Sequence, residues 1–272
     1  SLNQILLFKK LTHSLIRNNQ WMGFCIILLI FLSSCEHNSS SKNTLFQQLR
    51  TSTTNIDFTN TLKYTEDFNA YVYRNFYNGA GVVLGDINND GLIDIYFCGN
   101  LVDNKLYLNK GNFEFEDITQ KAGVACPNVW TTGASFADIN GDGWLDLYVC
   151  KSGDPKGKNR HNELFINNQN GTFTEQAKKY GIADLGLSNH AVFFDYDKDG
   201  DLDCYLLNNS YQAIGSFNLR KNERPNRDSV GGDKLYRNDG NTFTDVSEAA
   251  GIYGSIIGFG LGVTVGDIDH DG

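Results

Sequence analysis

The sequence predicts an all-β fold: a β-propeller of four-stranded antiparallel blades, with about three complete blades and the start of a fourth. Three observations predict it. A nine-residue acidic stretch recurs, its first Asp at positions 86, 138, 195 and 267. The copies lie 52, 57 and 72 residues apart, spacings that suit a repeat built of small sheets. Short apolar runs separated by turn residues accompany each copy, and the chain has 28 glycines against 3 prolines.

The N-terminus reads as a targeting segment. Trp21 to Leu32 is an almost unbroken apolar run of 12 residues, preceded by Lys9, Lys10 and Arg17. That is the layout of a secretory signal, and it is shorter than the roughly 20 residues that span a bilayer. Its ending, Leu32-Ser33-Ser34-Cys35, resembles the lipobox of bacterial lipoproteins. The resemblance implies a lipoprotein signal peptide over 1–34, cleavage before Cys35 and lipidation of its sulfur. The protein is then expected to be exported and held at the outer membrane or cell surface. Polar residues 35–43 read as a flexible tether. Residues 44–79 carry no acidic loop. They either supply a ring-closing strand or pack on blade one as a lead-in, and Tyr71–Tyr77 alternates as a strand would.

Residues 80–272 hold the blades. Each repeat begins with an apolar first strand: 81–85, 133–137, 190–194 and 262–266. The acidic loop follows, and a second strand leaves it at 95–98, 147–150 and 204–207. Third strands are expected at 105–109, 163–167 and 234–238. Fourth strands are expected around 113–115, 173–175 and 243–245. Asn170-Gly171 and Asp239-Gly240 are hairpin signals. The fourth acidic loop stops at Gly272, before its ninth position, so the sequence reads as the front part of a longer propeller.

The loops carry the chemistry. Oxygen-bearing side chains stand at positions 1, 3, 5 and 9: Asp86, Asn88, Asp90 and Asp94; Asp138, Asn140, Asp142 and Asp146; Asp195, Asp197, Asp199 and Asp203. The fourth copy supplies Asp267, Asp269 and Asp271. Glycine holds position 6, where a sharp turn is needed. Alternate oxygens converging from a tight loop suit Ca2+, which takes six to eight oxygen ligands. The backbone carbonyls at position 7, from Leu92, Trp144 and Asp201, would complete each set. Position 12 is Phe97, Val149 or Leu206, so the EF-hand with its Glu at that place is excluded. The ion's expected role is structural.

This arrangement resembles the FG-GAP and VCBS repeats, whose fold is the integrin-α-like β-propeller with calcium in the first hairpin loop of each blade. The elements Asn-x-Leu-Tyr-x-Asn, Gly-x-Phe and Ala-Gly-Ile more narrowly resemble bacterial VCBS lipoproteins that often carry a C-terminal ASPIC/UnbV module. Residues 70–272 carry the resemblance. It implies a binding, adhesion or assembly module and no enzyme, with a protein or polysaccharide ligand at the cell envelope. The competing reading is the propeller part of a carbohydrate-active or other hydrolytic enzyme.

Charge narrows the partners. The chain carries a net charge of -9, and all of the excess acid lies beyond residue 34. That argues against nucleic acid, whose phosphates need a basic surface. No hydrolase, Cys-x-x-Cys or phosphate-loop signature occurs in the sequence. Cys98 and Cys150 fall at equivalent strand positions of neighbouring blades, so they are expected to be buried thiols and not a disulfide. His190 replaces the glycine of the other repeats and reads as a strand residue. Two long connections, 151–162 and 208–233, hold Lys151, Lys156, Lys158, Arg160, Arg220, Lys221, Arg224 and Arg227. Locally basic loops on an acidic body are expected to steer an anionic partner.

Overall fold

The computed structural model describes residues 45–153, 159–212, 214–216 and 221–269. The signal segment, Cys35, the tether and Asp271 lie outside the described residues, as do Lys156, Lys158 and Arg220.

Three four-stranded antiparallel sheets follow one another along the chain. Sheet one holds β1 (Val82–Gly85), β2 (Asp94–Phe97), β3 (Lys105–Asn109) and β4 (Phe115–Asp117). Sheet two holds β5 (Trp130–Ala137), β6 (Asp146–Ser152), β7 (Glu163–Asn167) and β8 (Phe173–Glu175). Sheet three holds β9 (Ser188–Phe194), β10 (Asp203–Asn208), β11 (Lys234–Asn238) and β12 (Phe243–Asp245). Within each sheet every strand pairs with the next in sequence, as in propeller blades. The sheets form an open, propeller-like series.

The first strands lie side by side, β1 by β5 and β5 by β9. Their approach depends on glycine: a Cβ on Gly81 would sit 2.9 Å from the Cα of Gly133. The Gly81 N–H donates to the Thr132 carbonyl at 2.6 Å, stitching sheet one to sheet two. Ser135 Oγ donates to the Ala191 carbonyl at 2.5 Å, stitching two to three.

Alternation along the second strands fills the spaces between sheets. Tyr96, Cys98 and Leu106 of sheet one meet Leu147, Val149 and Phe165 of sheet two. Tyr148, Cys150 and Leu164 on the other face of sheet two meet Cys204, Leu206 and Tyr236 of sheet three. β6, covered on both faces, is buried at all seven positions. Burying each large apolar side chain there contributes about 1.5–3 kcal/mol. Cys98, Cys126, Cys150 and Cys204 are all free and buried. Burial pushes the Cys98 thiol up to about 12.

The structure departs from the sequence reading at three places. β4 starts at Phe115, because Asn109 pairs with Phe115 as Asn167 does with Phe173; Phe113 is left exposed at φ 62° in the turn. Arg74–Tyr77 is a 3-10 turn and not part of a strand. Asn69 side-chain bonds to the Thr65 and Glu66 carbonyls hold the preceding chain in a turn, and Tyr73 and Phe76 pack with Trp130. Residues 262–266, expected as a first strand, form none, and no second strand pairs with them among the described residues.

The lead-in packs on sheet one. Phe58 stacks on Phe97 at 5.1 Å, Tyr107 donates to Asp57 at 2.7 Å, and Asn60 donates to Asn100 at 2.8 Å.

Candidate metal centre

Each acidic loop joins strands one and two of its sheet, and the three share one skeleton. The position-1 carboxylate accepts the N–H of position 6: Gly91 to Asp86 at 2.8 Å, Gly143 to Asp138 at 2.8 Å, Gly200 to Asp195 at 3.0 Å. It also accepts the N–H of position 5, at 3.2, 3.0 and 3.1 Å. The position-5 carboxylate accepts the N–H of position 7, from Leu92, Trp144 and Asp201. Position 6 takes φ 83°, 85° and 97°. This left-handed backbone is open to glycine at little cost.

Position 4, unrestricted in the sequence pattern, also takes positive φ. Asn89 has φ 57°, Gly141 70° and Lys198 63°. Asn and Gly tolerate that region, whereas a lysine there is strained.

Position 9 is the anchor. Asp94, Asp146 and Asp203 are fully buried. One oxygen of each accepts the N–H of position 2, from Ile87 at 2.9 Å, Ile139 at 3.1 Å and Tyr196 at 2.7 Å. The other accepts the N–H that ends strand three, from Asn109 at 2.7 Å, Asn167 at 2.9 Å and Asn238 at 2.8 Å. A carboxylate has about four acceptor sites, so these bonds leave capacity facing the loop. Burial raises all three carboxyls above the ordinary range, Asp146 from 3.8 to about 6, and neighbouring loop carboxylates add to the rise.

Asn109, Asn167 and Asn238 are the site residues that the sequence reading assigned no role. Their amides donate to the position-8 carbonyls of Ile93, Leu145 and Leu202, closing the loop base. The signal was visible as the last letter of Asn-x-Leu-Tyr-x-Asn. The motif's first letter works at the other end of the sheet. Asn104 and Asn162 donate to Tyr96 and Tyr148 at 2.6 and 3.0 Å and accept the N–H groups of Gly99 and Lys151.

The loops differ in their side chains. In loops one and two, the amide at position 3 turns its N–H onto position 5: Asn88 to Asp90 and Asn140 to Asp142, both at 3.0 Å. In loop three, carboxylate oxygens of Asp195, Asp197 and Asp203 gather within 4.8 Å of one another. Like charges that close repel unless a cation lies among them. The donor set is all oxygen and anionic, which fits a hard divalent cation. Of the fourth copy, Asp267 and Asp269 are described, and both are exposed.

Five of the eight basic residues of the long connections are described, and two of them do not face solvent. Lys151 is buried and pairs with Glu163 at 2.6 Å. Arg160 is buried and donates to the Leu185 carbonyl at 2.7 Å. Lys221 pairs with Glu223 at 3.5 Å. Arg224 lies 5.0 Å over the Tyr253 ring, and Arg227 donates to the Ile252 carbonyl at 2.5 Å. Lys151 and Arg160 thus hold their connection down, while Lys221, Arg224 and Arg227 remain exposed.

Repeated four-stranded sheets with an acidic hairpin loop at one end define a repeat-built propeller protein. A sequence model of the FG-GAP-like repeat matches residues 86–149 and 153–206, and the chain carries FG-GAP-like repeats. Cartilage acidic protein 1 of Xenopus tropicalis is 28% identical over 144 residues, which is 50% of this chain. The aligned part spans 20% of that relative's length. Among the described residues, no helix is long and apolar enough to cross a membrane.

Proposed function

We propose that this chain is a calcium-braced binding module of the cell envelope, exported and anchored through Cys35, serving adhesion or assembly and not catalysis. The observation that carries it is the gathering of Asp195, Asp197 and Asp203 at the end of a sheet whose sister loops share the same skeleton. FG-GAP-like repeats support the binding role.

Bound calcium would neutralise the clustered carboxylates and tie the two strands of each hairpin. Asp86, Asn88, Asp90 and Asp94 would hold one ion, Asp138, Asn140, Asp142 and Asp146 a second, and Asp195, Asp197, Asp199 and Asp203 a third. Carbonyls of Leu92, Trp144 and Asp201 would join them. The residues themselves fix the loop. Position 9 pins it to strand three, and position 1 caps the turn. The sheet faces then stay rigid without any contribution from the partner.

The test is calorimetry of the full-length protein with calcium and with chelator, together with globomycin treatment of expressing bacteria. The expected results are a higher melting temperature with calcium and accumulation of unprocessed precursor under globomycin. Identical melts would remove the calcium claim, and normal processing under globomycin would remove the anchor.

A further inference from the structure

On the side of the first strands away from the acidic loops, the described residues form a cavity of about 490 Å³. Its wall is made by the starts of the first strands together with the 3-10 turn of the lead-in. The size falls in the roughly 300–1,000 Å³ range of small-ligand sites. Among the described residues lining it there is no Asp, Glu, Lys or Arg, although such residues make up 20% of the chain. The wall instead holds Asn75, Asn78, Asn189, Thr132, His190 and Trp130, of which Thr132 and Asn189 donate to the Ser188 and Gly260 carbonyls.

Two of these groups have nothing else to hold. Asn78 is exposed, and no hydrogen bond of its side chain occurs within the described residues. His190 is half-buried, and its ring likewise has no partner there. Burial lowers its pKa, which keeps the imidazole neutral. His190 stands where the other repeats have Gly81, Gly133 and Gly262, so one repeat alone places a polar ring at this position. By contrast, Trp130 is fixed within an aromatic cluster with Tyr73 and Phe76. It provides an immobile apolar wall.

We infer that this cavity binds a neutral saccharide, with Asn78 and His190 as hydrogen-bonding contacts and Trp130 as an apolar wall. A polyanion would find no cation here and a body of charge -9 around it. A basic ligand would find no carboxylate. A peptide would want a free strand edge or deep apolar pockets for its side chains, and this lining is mostly amide, hydroxyl and glycine. Tyr77 of the same 3-10 turn lines a second concavity of about 590 Å³, with exposed Tyr64 and Tyr71 and one carboxylate, Glu66. Exposed tyrosines supply flat apolar area with a polar tip. That suits further units of a polymer.

The inference rests on the reading of the chain as a binding module and names its ligand class. The experiment is affinity electrophoresis of the full-length protein in calcium. The gels contain laminarin, xylan or mannan as neutral polysaccharides, and alginate or chondroitin sulfate as anionic ones. Retardation by at least one neutral polysaccharide is expected, with affinity at least tenfold weaker in Asn78→Ala and in His190→Gln. Both variants should keep the wild-type calcium-dependent melt. Asn78→Ala is decisive, because the Asn78 side chain bonds nothing else among the described residues and its backbone cap is kept. Retardation of Asn78→Ala equal to wild type overturns the inference, whatever His190→Gln does. Retardation by anionic polymers alone, or by none, also overturns it. A calcium-dependent melt alongside such a failure leaves the calcium-braced module standing, whereas a melt indifferent to calcium strikes at that reading instead.

Discussion

Loops two and three place the same backbone around different charges. Asp138 and Asp195 cap the same N–H groups, and Asp146 and Asp203 are pinned by the same pair of donors. Yet Asn140 satisfies Asp142 within loop two, while Asp197 in loop three turns its carboxylate towards Asp195 and Asp203. Loop two is arranged to stand partly by itself. Loop three concentrates repulsion and also places Lys198 at φ 63°, where loop two has Gly141. The lesson is that the hairpin geometry is set by backbone-to-carboxylate bonds at positions 1, 5 and 9. Position 3 is then free to set the charge that the loop carries.

Removing calcium should have the largest effect. Binding at a free-ion concentration 100-fold above Kd stabilises by about 2.7 kcal/mol per site. Chelation of the full-length protein should therefore lower the melting temperature markedly. In a stepwise chelator titration followed by calorimetry, loops one and two should release first and loop three last. A single release step common to all loops would abolish the distinction between them.

Next comes the anchor. Asp146→Ala would strand two buried N–H groups, those of Ile139 and Asn167, at about 1–3 kcal/mol each. The loss should persist in chelator, because it does not depend on the ion. Asp203→Ala should cost less, because β6 is buried at every position whereas β10 has a half-buried one, Tyr205. Urea denaturation in chelator measures both. Equal loss in the two variants would show that burial around the anchor is alike in both sheets.

Much of this was legible in the sequence, and the misses share one cause. The sheets, the loops and the buried cysteines announce themselves through spacing within a repeat. What failed depended on contacts between distant segments. Lys151 and Arg160 looked like solvent-facing charge until Glu163 and the Leu185 carbonyl were seen beside them. Tyr71–Tyr77 alternates like a strand, but Trp130 lies across from it and favours a compact turn. Asn109, Asn167 and Asn238 repeat faithfully, yet their role appears only when strand three is folded back against the loop.

A pH series should sharpen the comparison in a smaller way. Burial raises the Asp146 carboxyl from 3.8 to about 6. The folded state then holds this proton more tightly than the unfolded chain does. Its contribution to stability is complete below about 3.8 and is lost as pH rises through about 6. In chelator, the melting temperature should fall across that window. With calcium the fall should shrink, because the ion favours the ionised carboxylate. Asp146→Asn in chelator should flatten the curve. A wild-type melt that rises over the same window would contradict the sign.

The smallest expected effect belongs to Asp197→Asn, which gives loop three the position-3 side chain of its sisters. The backbone bonds at Asp195, Asp199 and Asp203 do not involve Asp197, so the fold in chelator should be unchanged. The amide also removes one charge from a cluster whose oxygens lie within 4.8 Å. The ion-free loop should relax slightly, while the calcium-bound loop loses attraction. A tenfold weaker affinity at this site alone, about 1.4 kcal/mol, is the expected outcome in calcium titration calorimetry. The reciprocal change, Asn140→Asp, should strengthen loop two by a similar factor and destabilise it in chelator. Because the two substitutions exchange the position-3 side chain between loops of one backbone skeleton, their effects should be opposite in sign. If both weaken calcium binding, position 3 works by shape and not by charge, and the difference between the loops must then arise from the backbone at Gly141 and Lys198.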